Sequence, residues 1–150
     1  MEIRRLHLEQ IKQRMQEKRR FIQVIAGPRQ VGKTTTIMQW LSEKTMPAIF
    51  VTADNEAGST NWISQQWQAA RLRMDAENKR QLKVVLLGSS RLLLQQGLSE
   101  SLAGRYELIP MLHWTYLEMQ EAFDFSPEQY TWFGGYPGPA DLIHDEQRWK

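Results

Sequence analysis

The stretch Phe-Ile-Gln-Val-Ile-Ala-Gly-Pro-Arg-Gln-Val-Gly-Lys-Thr-Thr, residues 21–35, decides the fold of this chain. Its first six residues form a short apolar run that ends at Gly27, which predicts a β-strand followed by a tight turn. The pattern Gly-x-x-x-x-Gly-Lys-Ser/Thr is met in full by Gly27, Gly32, Lys33 and Thr34. Helical periodicity resumes over residues 33–44, so the stretch is typical of a phosphate-binding loop between a strand and a helix.

Each position of this loop has a chemical role in the pattern. Glycines let backbone N–H groups approach phosphates, and the positive end of the following helix adds to the attraction. Lys33 is expected to reach the β- and γ-phosphates, and the Thr34 hydroxyl to ligate Mg²⁺, a cation that prefers oxygen ligands. The predicted nucleotide-binding residues are Gly27, Pro28, Arg29, Gln30, Val31, Gly32, Lys33, Thr34 and Thr35.

Outward from the loop, strand patterns alternate with helix patterns. Helices are predicted over residues 2–18, 33–44, 63–74 and 92–98, and strands over 21–26, 48–52, 83–88 and 106–112. This alternation favours an α/β domain with a mainly parallel sheet flanked by helices. The sequence divides into a basic N-terminal helix (1–20), a nucleotide-binding domain (21–124) and a C-terminal segment of different composition (125–150).

Composition restricts the function classes. The 150 residues contain no cysteine, which excludes a disulfide scaffold and a thiolate metal site. No apolar run approaches the length of a membrane span, and the first residues are too polar for a signal peptide, so we expect a cytoplasmic protein. Residues 1–20 hold seven Lys or Arg against three Glu. This segment is either a solvated amphipathic helix or a surface that contacts nucleic acid.

Residues 27–35 resemble the P-loop of a prokaryotic family of AAA-type ATPases that carry a C-terminal domain of unknown function. The resemblance continues through Val-Val-Leu-Leu-Gly-Ser-Ser (84–90), Ser-Leu-Ala-Gly-Arg (101–105), the pair Trp114 and Glu118, and Phe-Gly-Gly-Tyr-Pro-Gly (133–138). It implies ATP and Mg²⁺ as ligands and an AAA-type sheet in the strand order 5-1-4-3-2, with an acidic motif on strand 3. It also implies a truncated C-terminal domain from residue 125.

The chain departs from that family at the acidic motif. The family places Asp-Glu at the end of a strand between the second predicted strand and the strand at 83–88. Here residues 56–82 contain no apolar run that ends in Asp-Glu. We therefore expect one strand and helix to be missing near residue 70, which leaves about four strands. Asp54 and Glu56 follow a strand pattern and imitate the motif, or are simply loop residues.

Three more candidates follow from the resemblance. Ser89 and Ser90 either sense the γ-phosphate or cap a turn, and Arg105 is either an arginine finger toward a neighbouring subunit or a surface cation. The sequence thus favours a domain that binds ATP and Mg²⁺ with weak or absent hydrolysis. The alternative is a non-catalytic remnant or interaction module of a truncated ATPase gene, with a protein partner or a second copy, whose exposed aromatics include Trp132, Tyr136 and Trp149.

Overall fold

The protein is described by a computed structural model that covers residues 3–43, 47–52, 62–77, 82–89, 104–145 and 148. Its helices are α1 (His7–Gln16), α2 (Lys33–Ser42), α3 (Trp62–Glu77), α4 (Tyr116–Phe123) and α5 (Pro127–Phe133), with a short 3-10 turn at Ala140–Leu142. Its strands are β1 (Ile22–Ala26), β2 (Val85–Gly88) and β3 (Tyr106–Pro110). The fold is therefore α/β, as predicted.

The three strands form one parallel sheet in the order β2-β1-β3. Ala26 at the end of β1 lies opposite Gly88 of β2 and Pro110 of β3. The carboxyl ends of the strands therefore meet at one edge of the sheet. Since β1 is the central strand, the loop that follows it leaves the sheet between two neighbours.

The sheet has three strands among the described residues, and the expected four-stranded sheet is wrong at residues 48–52. These residues do not form a strand, and the side chains of Ile49, Phe50 and Val51 are exposed. An apolar run becomes a strand only when it pairs with the edge of another strand, and this segment pairs with none of β1 to β3.

Two apolar clusters hold the described elements together. The first joins α1, the sheet and α2, and its buried residues are Leu8, Ile11, Ile25, Val31, Ile37, Trp40, Ile109 and Met111. The second lies around α4 and α5, and its buried residues are Trp114, Met119, Phe125 and Ala140. Leu8 and Ile11 of α1 are fully buried, and Ile37 and Trp40 of α2 are buried as well. Val31 of the loop belongs to the first cluster, so its side chain packs the loop against the core.

Helix α3 forms where periodicity predicts it, but its predicted apolar face is not covered at Trp67. That side chain is 42% exposed. The predicted helix 92–98, together with Asp54, Glu56 and Trp149, lies outside the described residues. Trp132 and Tyr136 are exposed, as the sequence predicts.

Candidate functional site at the carboxyl edge of the sheet

The loop between β1 and α2 spans residues 27–32, the spacing that the motif predicts. Gly32 is the N-cap of α2 and has a left-handed backbone with φ of 89°. A Cβ built on Gly32 meets no atom within 4 Å, so its backbone angle, and not crowding, calls for glycine. This turn directs the chain straight into the first helical residue, Lys33.

The first turn of α2 offers unpaired backbone donors. The N–H group of Thr36 donates to the Gly32 carbonyl at 2.9 Å, which is the first hydrogen bond of the helix. By helix geometry the N–H groups of Lys33, Thr34 and Thr35 precede that bond and have no acceptor inside the helix. Thr34 and Thr35 are exposed. Free donors and the positive helix end together form a site for an anion.

Lys33 leans back over the loop that precedes it. Its Nζ donates to the Gly27 carbonyl at 3.0 Å and also to the Pro28 carbonyl. Burial lowers the pKa of Lys33, because its half-buried ammonium has lost part of its hydration. Neutral carbonyls are its partners here, so an anionic ligand in the loop would be a better partner for this charge.

Gly27 is required by the neighbouring strand. A Cβ at this position would lie 1.8 Å from the carbonyl oxygen of Met111, the residue after β3. The Met111 N–H donates to the Ala26 carbonyl at 2.8 Å, and the Gly27 N–H donates to the Gly88 carbonyl at 3.3 Å. We expected this glycine to serve phosphate approach. The structure instead shows that it allows three chain segments to meet at the base of the loop.

Val31 holds the loop from beneath through its carbonyl. This oxygen accepts from Arg5 Nη1 at 2.6 Å and from Trp114 Nε1 at 3.2 Å, and the Val31 side chain is fully buried. The Arg5 guanidinium also lies 5.0 Å from the centre of the Trp114 ring. We call Arg5, Val31, Trp114 and Glu118 the loop clamp. It fixes the middle of the loop to segments far away in sequence.

The charge of Arg5 is neutralised inside the protein. Its Nε donates to Glu118 Oε1 at 2.7 Å, and the two side chains are only 3% and 6% exposed. Glu118 also closes the capping box of α4, where its Oε2 accepts from the Thr115 N–H at 2.9 Å. Burial alone would raise the pKa of Glu118, but the Thr115 hydrogen bond and the charge of Arg5 outweigh burial and lower it.

Sequence reasoning missed Arg5. It is one of seven basic residues in the first 20, and nothing local separates it from the others. The sequence did contain a signal among the residues that contact Arg5. The Trp-x-x-x-Glu spacing places Trp114 just before the helix cap at Thr115 and Glu118 three residues after it. The structure explains that spacing, since both residues contact Arg5.

The remaining candidates fall at different places. Ser89 follows β2 directly at the carboxyl edge, next to the loop, and is half-buried. Arg105 precedes β3 at the opposite edge, where its carbonyl accepts from the Ile22 N–H at 2.9 Å. Five residues of β1 separate the two edges by about 16 Å, so Arg105 does not lie beside the loop of its own chain. Arg29 is exposed within the loop, and Ser90 lies outside the described residues.

The chain was compared with models of known protein families, with curated proteins and with solved structures, and none of them matches. Among the described residues, no group of three or more His, Cys, Asp or Glu side chains is placed to hold a metal ion. The helices in the same part of the chain include none that is both long and apolar enough to cross a bilayer. The site is therefore judged on its own geometry.

Proposed function

We propose that this protein binds a nucleoside triphosphate, with ATP and Mg²⁺ as the ligands implied by the family resemblance, at the loop of residues 27–35. The observation that carries the proposal is the combination of free N–H groups at the start of α2 with the Lys33 ammonium held over the same loop. A polyphosphate supplies the anionic acceptors that both groups lack.

The donor set fits a magnesium nucleotide. Mg²⁺ bound to nucleotides takes one or two oxygen ligands from protein and the rest from phosphate and water. Thr34, exposed in the first turn of α2, is the residue that would supply this oxygen. Lys33 and the loop amides would hold the phosphates, and Ser89 lies where a side chain could contact the terminal phosphate.

Hydrolysis should be slow. The sequence between residues 56 and 82 lacks the acidic pair that orients Mg²⁺ and the attacking water in related ATPases. Lys33 and the loop amides can still bind the phosphates of the ground state without that pair. The missing carboxylate acts mainly in the transition state. Turnover near the roughly 10 s⁻¹ typical of enzymes would contradict this part of the proposal.

Calorimetric titration and thermal melting with ATP and Mg²⁺ test the binding. At about 100 times the dissociation constant a ligand stabilises the fold by about 2.7 kcal/mol. For a chain of this size that corresponds to a rise in melting temperature of about 5–11 °C. Lys33→Ala should abolish the rise, while Lys18→Ala, an exposed lysine just before β1 at the other end of the sheet, should keep it.

Thr34→Val distinguishes the contribution of Mg²⁺ to nucleotide affinity from the contribution of the phosphate contacts. This change removes the hydroxyl oxygen and nearly preserves shape, so it should lower affinity in Mg²⁺ but not in EDTA. Wild-type protein that shows no saturable binding would remove the nucleotide proposal. The protein would then be better explained as an interaction module.

A further inference from the structure

A second charged site lies at the amino-terminal edge of the sheet, opposite the loop. It is an open cleft between the end of α1 and the starts of β1 and β2, with Glu107 of β3 at its side. Five basic side chains and two carboxylates line it. They are Arg14, Lys18, Arg19, Arg20, Lys83, Glu17 and Glu107. We call this region the basic cleft.

The structure separates these cations from the other basic residues of the N-terminal segment. Arg5 is buried against Glu118, and Arg4 and Lys12 pair with Glu43 at 3.0 and 2.8 Å. In the cleft, Arg14 lies near both carboxylates, at 3.5 and 3.6 Å.

The Lys83 ammonium donates to the carbonyls of Met15 and Glu17. Three cations of the cleft therefore remain without a carboxylate or carbonyl partner among the described residues, and they are Lys18, Arg19 and Arg20. The positive charge of the N-terminal segment is therefore concentrated at this edge and not spread along α1.

Gln23 gives an independent sign of a ligand. Its side chain lines the cleft and is 7% exposed, and its Nε2 donates to Glu107 Oε2 at 3.0 Å. That bond fixes the amide orientation, because a carboxylate accepts only. The other amide atom, Oε1, is buried and accepts no hydrogen bond from any described residue. A buried acceptor without a donor is unfavourable, so a group with an N–H or O–H would be stabilised beside it.

We propose that the basic cleft binds single-stranded nucleic acid. Phosphates of consecutive nucleotides would contact Lys18, Arg19 and Arg20, and a base or sugar in the cleft would donate to Gln23. The Arg20 guanidinium lies 5.0 Å from the centre of the Phe21 ring, and this contact restricts its position. The planar guanidinium then offers a surface on which a base can stack. An unpaired base can stack on this guanidinium whereas a paired base cannot, which favours a flexible single strand over a rigid duplex.

The test is fluorescence anisotropy with a labelled 12-nucleotide single strand at two salt concentrations. Three phosphate contacts predict a slope of about −2.1 in log affinity against log salt, or roughly 20-fold weaker binding at 200 mM than at 50 mM. The double variant Arg19→Glu and Arg20→Glu should bind at least about 10-fold more weakly at 50 mM and show a slope closer to about −0.7.

A matched control is available on α3. Arg71→Glu with Arg73→Glu makes the same change in net charge at two exposed residues that do not line the cleft. This control should keep most of the affinity, and a loss equal to that of the cleft variant would overturn the proposal. Lys18→Glu serves as a second cleft variant if the double variant melts early.

Two further measurements identify the class of ligand and the place where it binds. Equal affinity for a duplex of the same length, or charge-dependent binding to phosphatidylserine vesicles as strong as to the single strand, would overturn the single-strand assignment. Lys33→Ala should leave strand binding intact, because the loop lies at the other edge of the sheet. If Lys33→Ala removes strand binding, the strand occupies the loop and the basic cleft has no role.

Discussion

Arg5→Met is the perturbation that most directly tests how the loop is held. It removes the positive charge and leaves the Glu118 carboxylate, 6% exposed, inside the protein without its ion partner. Breaking a buried pair in this way costs about 3–5 kcal/mol of unfolding free energy, because the remaining charge stays desolvated. The Val31 carbonyl keeps its second donor, Trp114 Nε1, so no comparable penalty adds there.

Arg4→Met is the matched control one residue away. Arg4 is also ion-paired, to Glu43 at 3.0 Å, but its side chain is 53% exposed. Exposed pairs contribute about 0–1 kcal/mol. Urea unfolding measures the difference, and the free energy of unfolding is expected to fall by about 2 kcal/mol per molar urea. Arg5→Met should therefore lower the urea midpoint by about 2 M, and Arg4→Met should lower it by less than about 0.5 M.

The double variant Arg5→Met with Glu118→Leu distinguishes an unpaired charge from lost packing. Replacing both members of a buried pair by apolar side chains is often neutral, so it should recover much of the stability that Arg5→Met loses. ATP affinity should be reduced in both Arg5→Met and the double variant, since the Val31 carbonyl has lost its arginine donor in each. Equal losses for Arg4→Met and Arg5→Met, or no recovery in the double variant, would refute the argument for a buried clamp.

Two other predictions follow from the same region. Gly27→Ala places a methyl group against a backbone carbonyl 1.8 Å away and should lower the melting temperature by about 6–12 °C; Gly138→Ala, whose nearest contact is 3.8 Å, should change it little. Burial and the charge of Arg5 lower the pKa of His7 below 6.5, so the unfolded chain binds this proton more tightly. Stability should therefore fall as pH drops from 6.5 through that lowered pKa, and His7→Gln should remove this part of the pH dependence in urea titrations.

Local signals predicted the strand, loop and helix of residues 21–42, because the apolar run, the glycine spacing and the helical periodicity all lie within about 20 residues. The failure at residues 48–52 has a different origin. Their short apolar run, Ala-Ile-Phe-Val-Thr, is typical of a strand, but pairing depends on an edge elsewhere in the chain, which no local pattern specifies.

The clamp shows where sequence reasoning stops. Arg5 and Glu118 are 113 residues apart, and the charge pattern of residues 1–20 predicts a solvated face for all seven cations. Only packing decides that Arg5 enters the core and that Lys18 to Arg20 stay outside. Phosphate approach, the predicted reason for Gly27, was also incomplete because it considered only nearby residues. The atom that excludes a side chain at Gly27 is the carbonyl oxygen of Met111, which is distant in sequence.

The clamp also bears on how the protein can be shortened. A fragment of residues 21–124 would retain β1, β2, β3, the whole loop and Glu118, yet it would leave that carboxylate buried without its arginine. It would also lack Leu8 and Ile11 beneath the sheet and Phe125 beside α4. Any minimal version meant for nucleotide titrations should therefore begin ahead of Arg5 and extend past Ala140.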